Sequence, residues 1–205
     1  MGATPAQLRV VSVQDFSLAS SWAGAMRKVV AIEYVTLNNV MEAPVWTQPY
    51  FSQDVGQFQD GHLHAASQLL LGRVTYEGMS EAWPQAPADE GGFAERINTM
   101  PKEVVTSQRG ELTWNSTALH PDKLVQHVKA LRQQDGANIL IYGSGQVVRP
   151  LLQADLLDEL HLLLCPVSVE EGKKLFEGKE VKLKPARQQG FSGGMTLLSF
   201  VPESA

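Results

Sequence analysis

The chain has 205 residues, a formal net charge of −5 and a single cysteine, Cys165. This length suits one domain with a substantial core, and one cysteine cannot form an intramolecular disulfide, which fits a reducing cytoplasm. The negative charge argues against a nucleic-acid partner, because such domains are usually basic. No segment approaches the roughly 18 apolar residues of a membrane span. We therefore expect a cytoplasmic protein that binds neither nucleic acids nor membranes.

The first half of the chain begins with an extension and then alternates strand and helix. Residues 1–25 are interpreted as an N-terminal extension, and residues 26–205 as a single domain. Residues 28–37 (KVVAIEYVTL) are dense in β-branched and aromatic residues, which indicates a central strand. A helix capped by Ser52 or Asp54 is predicted to run to about residue 67. It contains His62 and His64, whose spacing is poor for a shared metal, so both are predicted to be surface or helix-flank residues and no metal is expected.

Three later strands each end in residues suited to binding an anion. A short strand ending near Leu71 leads into Arg73 and Thr75 at the start of a helix, and a strand at 103–107 leads to Arg109. Residues 139–142 form the third strand, which breaks into Gly143-Ser144-Gly145 before an apolar helical stripe. A helix N-terminus after such a turn can hold a phosphate, although a lone G-x-G is also a common tight turn. In an open α/β sheet, ligands bind at the carboxyl ends of the strands.

The rest of the chain continues the alternation and then changes to strands only. A helix is predicted at 122–134, a buried strand at 160–164, and a terminal hairpin from segments 181–183 and 195–201. This order predicts a three-layer α/β/α domain, with a mainly parallel central sheet and an antiparallel C-terminal hairpin.

The chain resembles the dihydrofolate-reductase-like superfamily, and most of all the branch that contains the C-terminal reductase domain of the bifunctional deaminase-reductase of riboflavin biosynthesis. The resemblance covers nearly all of residues 27–202. It depends on stretches in the same order along the chain: VTLNNVMEAPVW (35–46), LLLGRVTYEGM (69–79), KEVVTSQRG (102–110), ILIYGSGQVV (139–148) and DLLDELHLLLCPV (155–167), followed by GKKLF (172–176).

The resemblance implies that NADPH binds across the carboxyl ends of the strands. The pyrophosphate would lie on the turn at Gly143, and residues 72–75 would hold the phosphates from the other side. Ser107 and Arg109 would lie around the adenosine ribose and its 2′-phosphate. An uncharged amide at position 146, where dihydrofolate reductases often have a basic residue, leaves the choice between NADPH and NADH open. The implied cofactor-binding residues are Gly72, Arg73, Thr75, Ser107, Arg109, Gly143, Ser144, Gly145, Gln146 and Val147.

The substrate half of the expected site departs from the family. Reduction of an imine-like carbon needs a proton source, and the candidates are Asp54, by the resemblance, and Glu33, an acid inside an apolar strand. As a bare residue, Asp54 is also a typical first-turn acid of a helix. The family's usual S-L-D-G reads Thr36-Leu37-Asn38-Asn39 in this chain. Asn38 and Trp46 are the expected substrate-binding residues, although Trp46 suits a core position equally well.

These features favour an NADPH-dependent oxidoreductase acting on a C–N or C=N bond of a pterin or aminopyrimidine-type heterocycle. The resemblance also implies a homodimer. One alternative is a nucleotide- or flavin-binding protein of the same fold without reductase activity. Another is a different doubly wound domain, which binds a mononucleotide or acts as a regulator, and in which Gly143-Ser144-Gly145 is only a tight turn.

Overall fold

The structure, a computed structural model, describes residues 26–203 except residues 90 and 179. The extension predicted at residues 1–25 lies outside this part. The described elements are β1 (Val29–Thr36), α1 (Gln53–His64), β2 (Ala66–Gly72), α2 (Arg73–Ala82), α3 (Phe93–Thr99), β3 (Lys102–Val105), β4 (Ser116–Leu119), α4 (Leu124–Leu131), β5 (Asn138–Tyr142), α5 (Gly145–Gln153), β6 (Glu159–Cys165), β7 (Leu183–Gly190) and β8 (Thr196–Pro202). Short 3-10 segments lie at Pro44–Tyr50, Trp83–Gln85 and Pro121–Lys123.

All eight of these strands form one sheet in the order β4-β3-β2-β5-β1-β6-β8-β7. The first six strands in this order, which end with β6, are parallel to one another. β8 pairs antiparallel with β6, and β7 pairs antiparallel with β8. The predicted mainly parallel sheet with an antiparallel C-terminal hairpin is therefore confirmed.

The helices cover both faces of the sheet and complete the predicted three layers. α1, α2 and α3 bury Val55, Tyr76 and Ile97 against one face, which we call the α1 face. α4 and α5 bury Val128 and Leu151 against the other, the α5 face. Burying apolar side chains on both faces is the main contribution to the stability of such a sheet.

The central strand β1 is apolar on both faces because it lies between two helical layers. Val29, Ala31 and Val35 belong to the core of the α5 face, whereas Val30 and Ile32 belong to that of the α1 face. Successive side chains of a strand alternate between faces. Glu33 therefore lies on the α5 face and Tyr34 on the α1 face.

The direction in which successive strands are added across the sheet changes between β2 and β5. These strands are neighbours, but β2 leads into α2 on the α1 face and β5 leads into α5 on the α5 face. Two connections that leave neighbouring strand ends toward opposite faces open a crevice between them. The candidate site lies at this crevice.

Two smaller observations complete the fold. His62 lies on the flank of α1 as a partly exposed residue, and its ring packs between Phe58 and His161 at centroid distances of 4.7 and 4.6 Å. Burial is the main reason that the pKa of His62 falls to about 4. None of the helices in the described residues is both long and apolar enough to cross a membrane.

Candidate functional site

A groove of about 1300 Å³ opens at the carboxyl ends of β1, β2, β3 and β5. Its lining includes Ile32–Tyr34 of β1, the start of α2, residues 105–108 after β3, and residues 142–147 between β5 and α5. Residues of α1 form a further wall. The groove therefore joins the three strand ends that the sequence singled out.

The turns after β2 and β5 pack too closely to admit a side chain at either glycine. A Cβ on Gly72 would clash with Cβ and Oγ of Ser144, and a Cβ on Gly143 would lie 2.8 Å from Thr75 Oγ1. Gly143 also has φ 64°, a left-handed conformation that favours glycine. The structure thus brings together four of the residues predicted to bind the cofactor.

The first turn of α5 faces the groove and presents backbone donors to it. The Ser144 carbonyl accepts hydrogen bonds from Val147 N, at 2.8 Å, and from Val148 N, at 3.0 Å. The N–H groups of Gly145 and Gln146 have no carbonyl partner inside the helix. Because Val147 already donates its N–H and has a fully buried side chain, Gly145 and Gln146 are the better candidates for binding an anion. A helix N-terminus also has a partial positive charge.

Arg73, the first residue of α2, lines the groove and forms a hydrogen bond through its Nε. Its Nε donates to Glu77 Oε1 at 2.7 Å, and its guanidinium lies 5.9 Å from the centroid of the Tyr76 ring. Nη1 is buried and has no hydrogen-bond partner among the described residues. A buried donor without a partner is unfavourable by about 1–3 kcal/mol, more for a charged group. A bound anion such as a phosphate would provide that partner.

Arg149 and Lys173 supply further positive charge that sequence reasoning did not identify. Arg149 lies one turn after Gly145 on α5, and its Nη1 donates to the Lys174 carbonyl at 2.9 Å. Lys173 also lines the groove and forms a 2.6 Å ion pair with Glu42. The four-residue spacing from Gly145 to Arg149 could have indicated Arg149. The contribution of Lys173 depends on a contact between distant parts of the chain.

Glu33 is a buried acid on the floor of the groove. The residue is 1% exposed, and its Oε1 has no hydrogen-bond partner among the described residues. Burial raises the pKa of Glu33 well above its ordinary value, so the protonated form is favoured. A protonated carboxyl beside a ligand groove can donate a proton.

On the α1 face, the groove has a cluster of polar groups that the sequence did not single out. Gln59 Nε2 donates to Tyr34 Oη at 2.6 Å, and Tyr142 Oη donates to the backbone carbonyl of Gln59 at 3.3 Å. Asp60, the next residue on α1, also lines the groove. Burial raises the pKa of Tyr34 to about 12, which favours its neutral phenol, and the amide of Gln59 does not titrate.

Asp54 lies in the first turn of α1 and holds a neighbouring loop. Its carboxylate accepts a hydrogen bond from Ser192 N at 2.8 Å, and it also bonds with the hydroxyls of Ser52 and Ser192. These bonds lower the pKa of Asp54 to about 2, the Ser52 hydroxyl having the largest effect. An acid held in its charged form is a poor proton donor, so the geometry favours Glu33 over Asp54.

The remaining predicted residues divide between the groove and its surroundings. Ser107 lines the groove, whereas Arg109 is exposed beyond it. The Asn38 amide donates to the Val169 carbonyl at 2.6 Å, and its side-chain oxygen accepts from the Thr36 hydroxyl at 2.8 Å, so it secures the turn after β1. Trp46 packs against the core of the α1 face. The predicted ligand-binding roles of Asn38, Arg109 and Trp46 stay predictions, without support from groove contacts.

Solved structures define the class of the fold. A putative riboflavin biosynthesis protein from Shewanella sp. PV-4 superposes with a TM-score of 0.64 at 13% identity, over 86% of this chain and 99% of that one. Dihydrofolate reductase from Enterococcus faecalis, complexed with NADP(H) and RAB-propyl, gives a TM-score of 0.56 at 16% identity, over 88% of this chain and 99% of that one. The fold is dihydrofolate-reductase-like, as the sequence predicted.

Residues 27–197 match the family described as the RibD C-terminal domain, and the chain belongs to that family. A deaminase/5-amino-6-(5-phosphoribosylamino)uracil reductase from Thermotoga maritima superposes with a TM-score of 0.59 at 15% identity, over 86% of this chain and 57% of that one. Among curated proteins, the uncharacterised protein YyaP of Bacillus subtilis strain 168 is 22% identical over 178 residues, 85% of this chain and 94% of that protein. The resemblance found from the sequence is therefore confirmed at the level of the family.

The close contact between Gly72 and Ser144 predicts a compensating pair of substitutions. Gly72→Ala should lower the free energy of unfolding by about 1–3 kcal/mol, because the added methyl group clashes with Ser144. Adding Ser144→Gly should restore most of this loss, as it removes the clashing side chain and also the positive φ of 97° at a non-glycine residue. Urea unfolding of the four proteins in a double-mutant cycle measures the coupling. Gly61→Ala is the control, since nothing lies within 4 Å of the added Cβ, and additive effects at 72 and 144 would contradict the geometry.

The raised pKa of Glu33 predicts that the free energy of unfolding falls as the pH rises. Above the ordinary glutamate pKa of about 4.5, the carboxyl ionises in the unfolded chain but keeps its proton in the folded one. The folded state then binds more protons, so the stability declines with pH by up to about 1.4 kcal/mol per pH unit, until the pH reaches the raised folded pKa. Glu33→Gln should remove this decline and be the more stable protein at pH 7. Unfolding free energies of both proteins between pH 4.5 and 8 provide the test, and parallel curves would refute the buried neutral carboxyl.

Proposed function

We propose that the chain is an NADPH-dependent reductase that acts on the C=N bond of a pterin or aminopyrimidine-type heterocycle. The observation that carries the proposal is a single groove lined by the first turn of α5, by Arg73, whose buried Nη1 has no hydrogen-bond partner among the described residues, and by the buried carboxyl of Glu33, whose pKa is raised by burial. An anion site and a proton donor in the same groove suit the reduction of a heterocycle by a phosphorylated cofactor.

The residues of the groove fit the cofactor. Gly143 and Gly145 let the backbone approach a pyrophosphate closely, and the first-turn N–H groups of α5 are suitable donors for it. Arg73 would neutralise a phosphate from the β2 side, and Arg149 adds charge on the α5 face. The comparison with the E. faecalis enzyme supports this proposal because that enzyme was solved with NADP(H).

The proposed reduction adds a hydride and a proton across the C=N bond. When bound, NADPH supplies a hydride to the carbon of the C=N bond and leaves as NADP⁺. Glu33 would donate its proton to the nitrogen and take another from solvent afterwards, so the substrate gains two hydrogens. The polar groups around Gln59 on the α1 face would orient the ring. The name of the T. maritima protein, which includes a uracil reductase, supports a heterocyclic substrate of this kind.

Arg73 predicts how NADPH should stabilise the protein. Wild type should melt at a higher temperature as NADPH is added, because a ligand that binds only the folded state stabilises it. Arg73→Ala should weaken binding about tenfold or more, since hydrogen bonds to charged groups contribute about 1.5–3 kcal/mol. Arg187→Ala is the matched control, because Arg187 is an exposed arginine on β7, outside the groove. No shift in melting temperature at millimolar NADPH would refute the proposed cofactor.

Because Glu33 is the proposed proton donor, its substitution should change turnover without changing cofactor binding. Glu33→Gln should lower kcat about 100-fold or more, in keeping with the usual contribution of general acids, while the NADPH-induced rise in melting temperature stays the same. NADPH oxidation followed at 340 nm with a panel of pterins and aminopyrimidines gives kcat. Asp54→Asn is the comparison, and a larger loss in that variant would transfer the acid role to Asp54.

One observation favours the alternative of a nucleotide- or flavin-binding protein without reductase activity. Asn38, which stands where the family usually has an acid, uses its side chain for bonds within the fold. NADPH binding by the wild type without oxidation across that panel would establish this alternative. The homodimer, the cytoplasmic location and the boundary at residue 26 stay predictions.

A further inference from the structure

The side chains of Tyr34 and Gln59 form a hydrogen-bonded pair, and both residues line the groove. Gln59 Nε2 donates to Tyr34 Oη at 2.6 Å. β5 pairs with β1 only as far as Ile32, which lies opposite Tyr142, so Tyr34 lies beyond the end of β5. The pair, which we call the Tyr34–Gln59 pair, therefore joins β1 to α1 at a point where β5 no longer covers that edge of β1.

Each residue of the pair keeps a hydrogen-bonding group for another partner. Tyr34 Oη accepts the amide hydrogen, but its own hydrogen has no acceptor among the described residues. Gln59 Oε1 accepts no hydrogen bond within the same part of the chain, and Gln59 is only partly buried. A phenol can donate while it accepts, and an amide oxygen is an acceptor. The pair therefore has at least one free donor beside one free acceptor.

The donor and the acceptor are held in place, and their pattern does not change near neutral pH. Tyr142 Oη donates to the backbone carbonyl of Gln59 at 3.3 Å, which ties α1 to the end of β5. Burial raises the pKa of Tyr34 to about 12, so the phenol keeps its hydrogen, and the amide does not titrate. Rotation of the Gln59 amide would exchange its oxygen and nitrogen, and the pair would still offer a donor beside an acceptor.

We infer that the Tyr34–Gln59 pair binds the substrate through a ring edge on which an acceptor lies beside a donor, as a carbonyl lies beside an N–H group. The inference rests on the proposed function, because it takes the ligand to be a nitrogen heterocycle. Such a site rejects a ligand that lacks either group, since a polar group of the protein then stays unpaired. Glu33 precedes Tyr34 on β1 and lies on the opposite face, so the acid and the pair have separate roles.

Single substitutions in the pair test whether it binds the ring. The probes are 6,7-dimethylpterin and 5,6-diaminouracil, each titrated calorimetrically in the presence of NADP⁺. Tyr34→Phe and Gln59→Leu should each weaken binding of the better probe about threefold or more, as expected for the loss of a hydrogen bond between neutral groups. Unchanged affinity in both variants would overturn the inference, and so would binding of neither probe by the wild type.

The double variant tests whether the two residues act as a pair. Tyr34→Phe combined with Gln59→Leu should weaken binding by less than the product of the two single losses, because either substitution alone already disrupts the pair. Two residues that bound the ring independently would give the full product, which would refute the pair.

Matched controls separate binding from a general effect of the substitutions. Tyr50→Phe removes a hydroxyl from a tyrosine that does not line the groove, and Gln126→Leu removes an exposed amide on α4. Both should bind the probes as the wild type does. Thermal melting verifies that all variants fold. The rise in melting temperature with NADP⁺ should be the same in Tyr34→Phe as in the wild type, which a loss of folding would not give.

Steady-state kinetics separates a binding role from a catalytic one. With 6,7-dimethyl-7,8-dihydropterin as substrate, Tyr34→Phe should raise KM about threefold or more and leave kcat nearly unchanged. This result is expected because the pair binds the ring equally in the ground state and the transition state. A loss of about 100-fold in kcat at unchanged KM would make Tyr34 the proton donor and would overturn the inference.

The design distinguishes this inference from the proposed function. Calorimetry measures binding and does not require turnover. If NADP⁺ does not bind, or no compound is reduced, while both single variants still weaken probe binding, the proposed function is wrong and the inference holds. If NADP⁺ binds and both variants bind the probes as the wild type does, the inference is wrong and the cofactor proposal holds.

Discussion

The ends of β2 and β5 meet with no space for a side chain between them, and the geometry of the groove depends on this contact. Gly72 lies against Ser144, and Gly143 lies against Thr75. Because the two turns touch, the start of α2 and the start of α5 are fixed next to each other, although their helices pack on opposite faces of the sheet. Arg73 and the first turn of α5 therefore line the same groove. A larger residue at either glycine would separate them.

The groove also shows how an acidic protein can provide a site for an anionic cofactor. Net charge describes solubility and long-range attraction, whereas binding depends on the charges that face the ligand. In this chain the cations that line the groove come from α2, α5 and the segment around residue 173, and Arg73 and Lys173 are paired there with Glu77 and Glu42.

Several groups that line the groove lower the stability of the fold. Among the residues that the structure describes, Glu33 Oε1 and Arg73 Nη1 are buried without a hydrogen-bond partner, and Ser144 has a left-handed φ. Each is unfavourable by an amount comparable to that of a typical destabilising mutation. Such features cluster at functional sites, where a ligand or a reaction uses them. Their presence in one groove is a stronger indication of function than the size of the cavity.

The order of elements, the class of the sheet and the three strand ends could be predicted from the sequence, because periodicity, turn residues and strand formers act locally. The five family-like stretches around them determined the superfamily. Only the tertiary structure decided which face of β1 Glu33 occupies, since a shift of one residue in register would reverse it. It also decided that Asp54 bonds to Ser192, that Asn38 secures a turn, and that Arg149 and Lys173 border the groove. These facts depend on contacts between residues far apart in the chain, which no local pattern specifies.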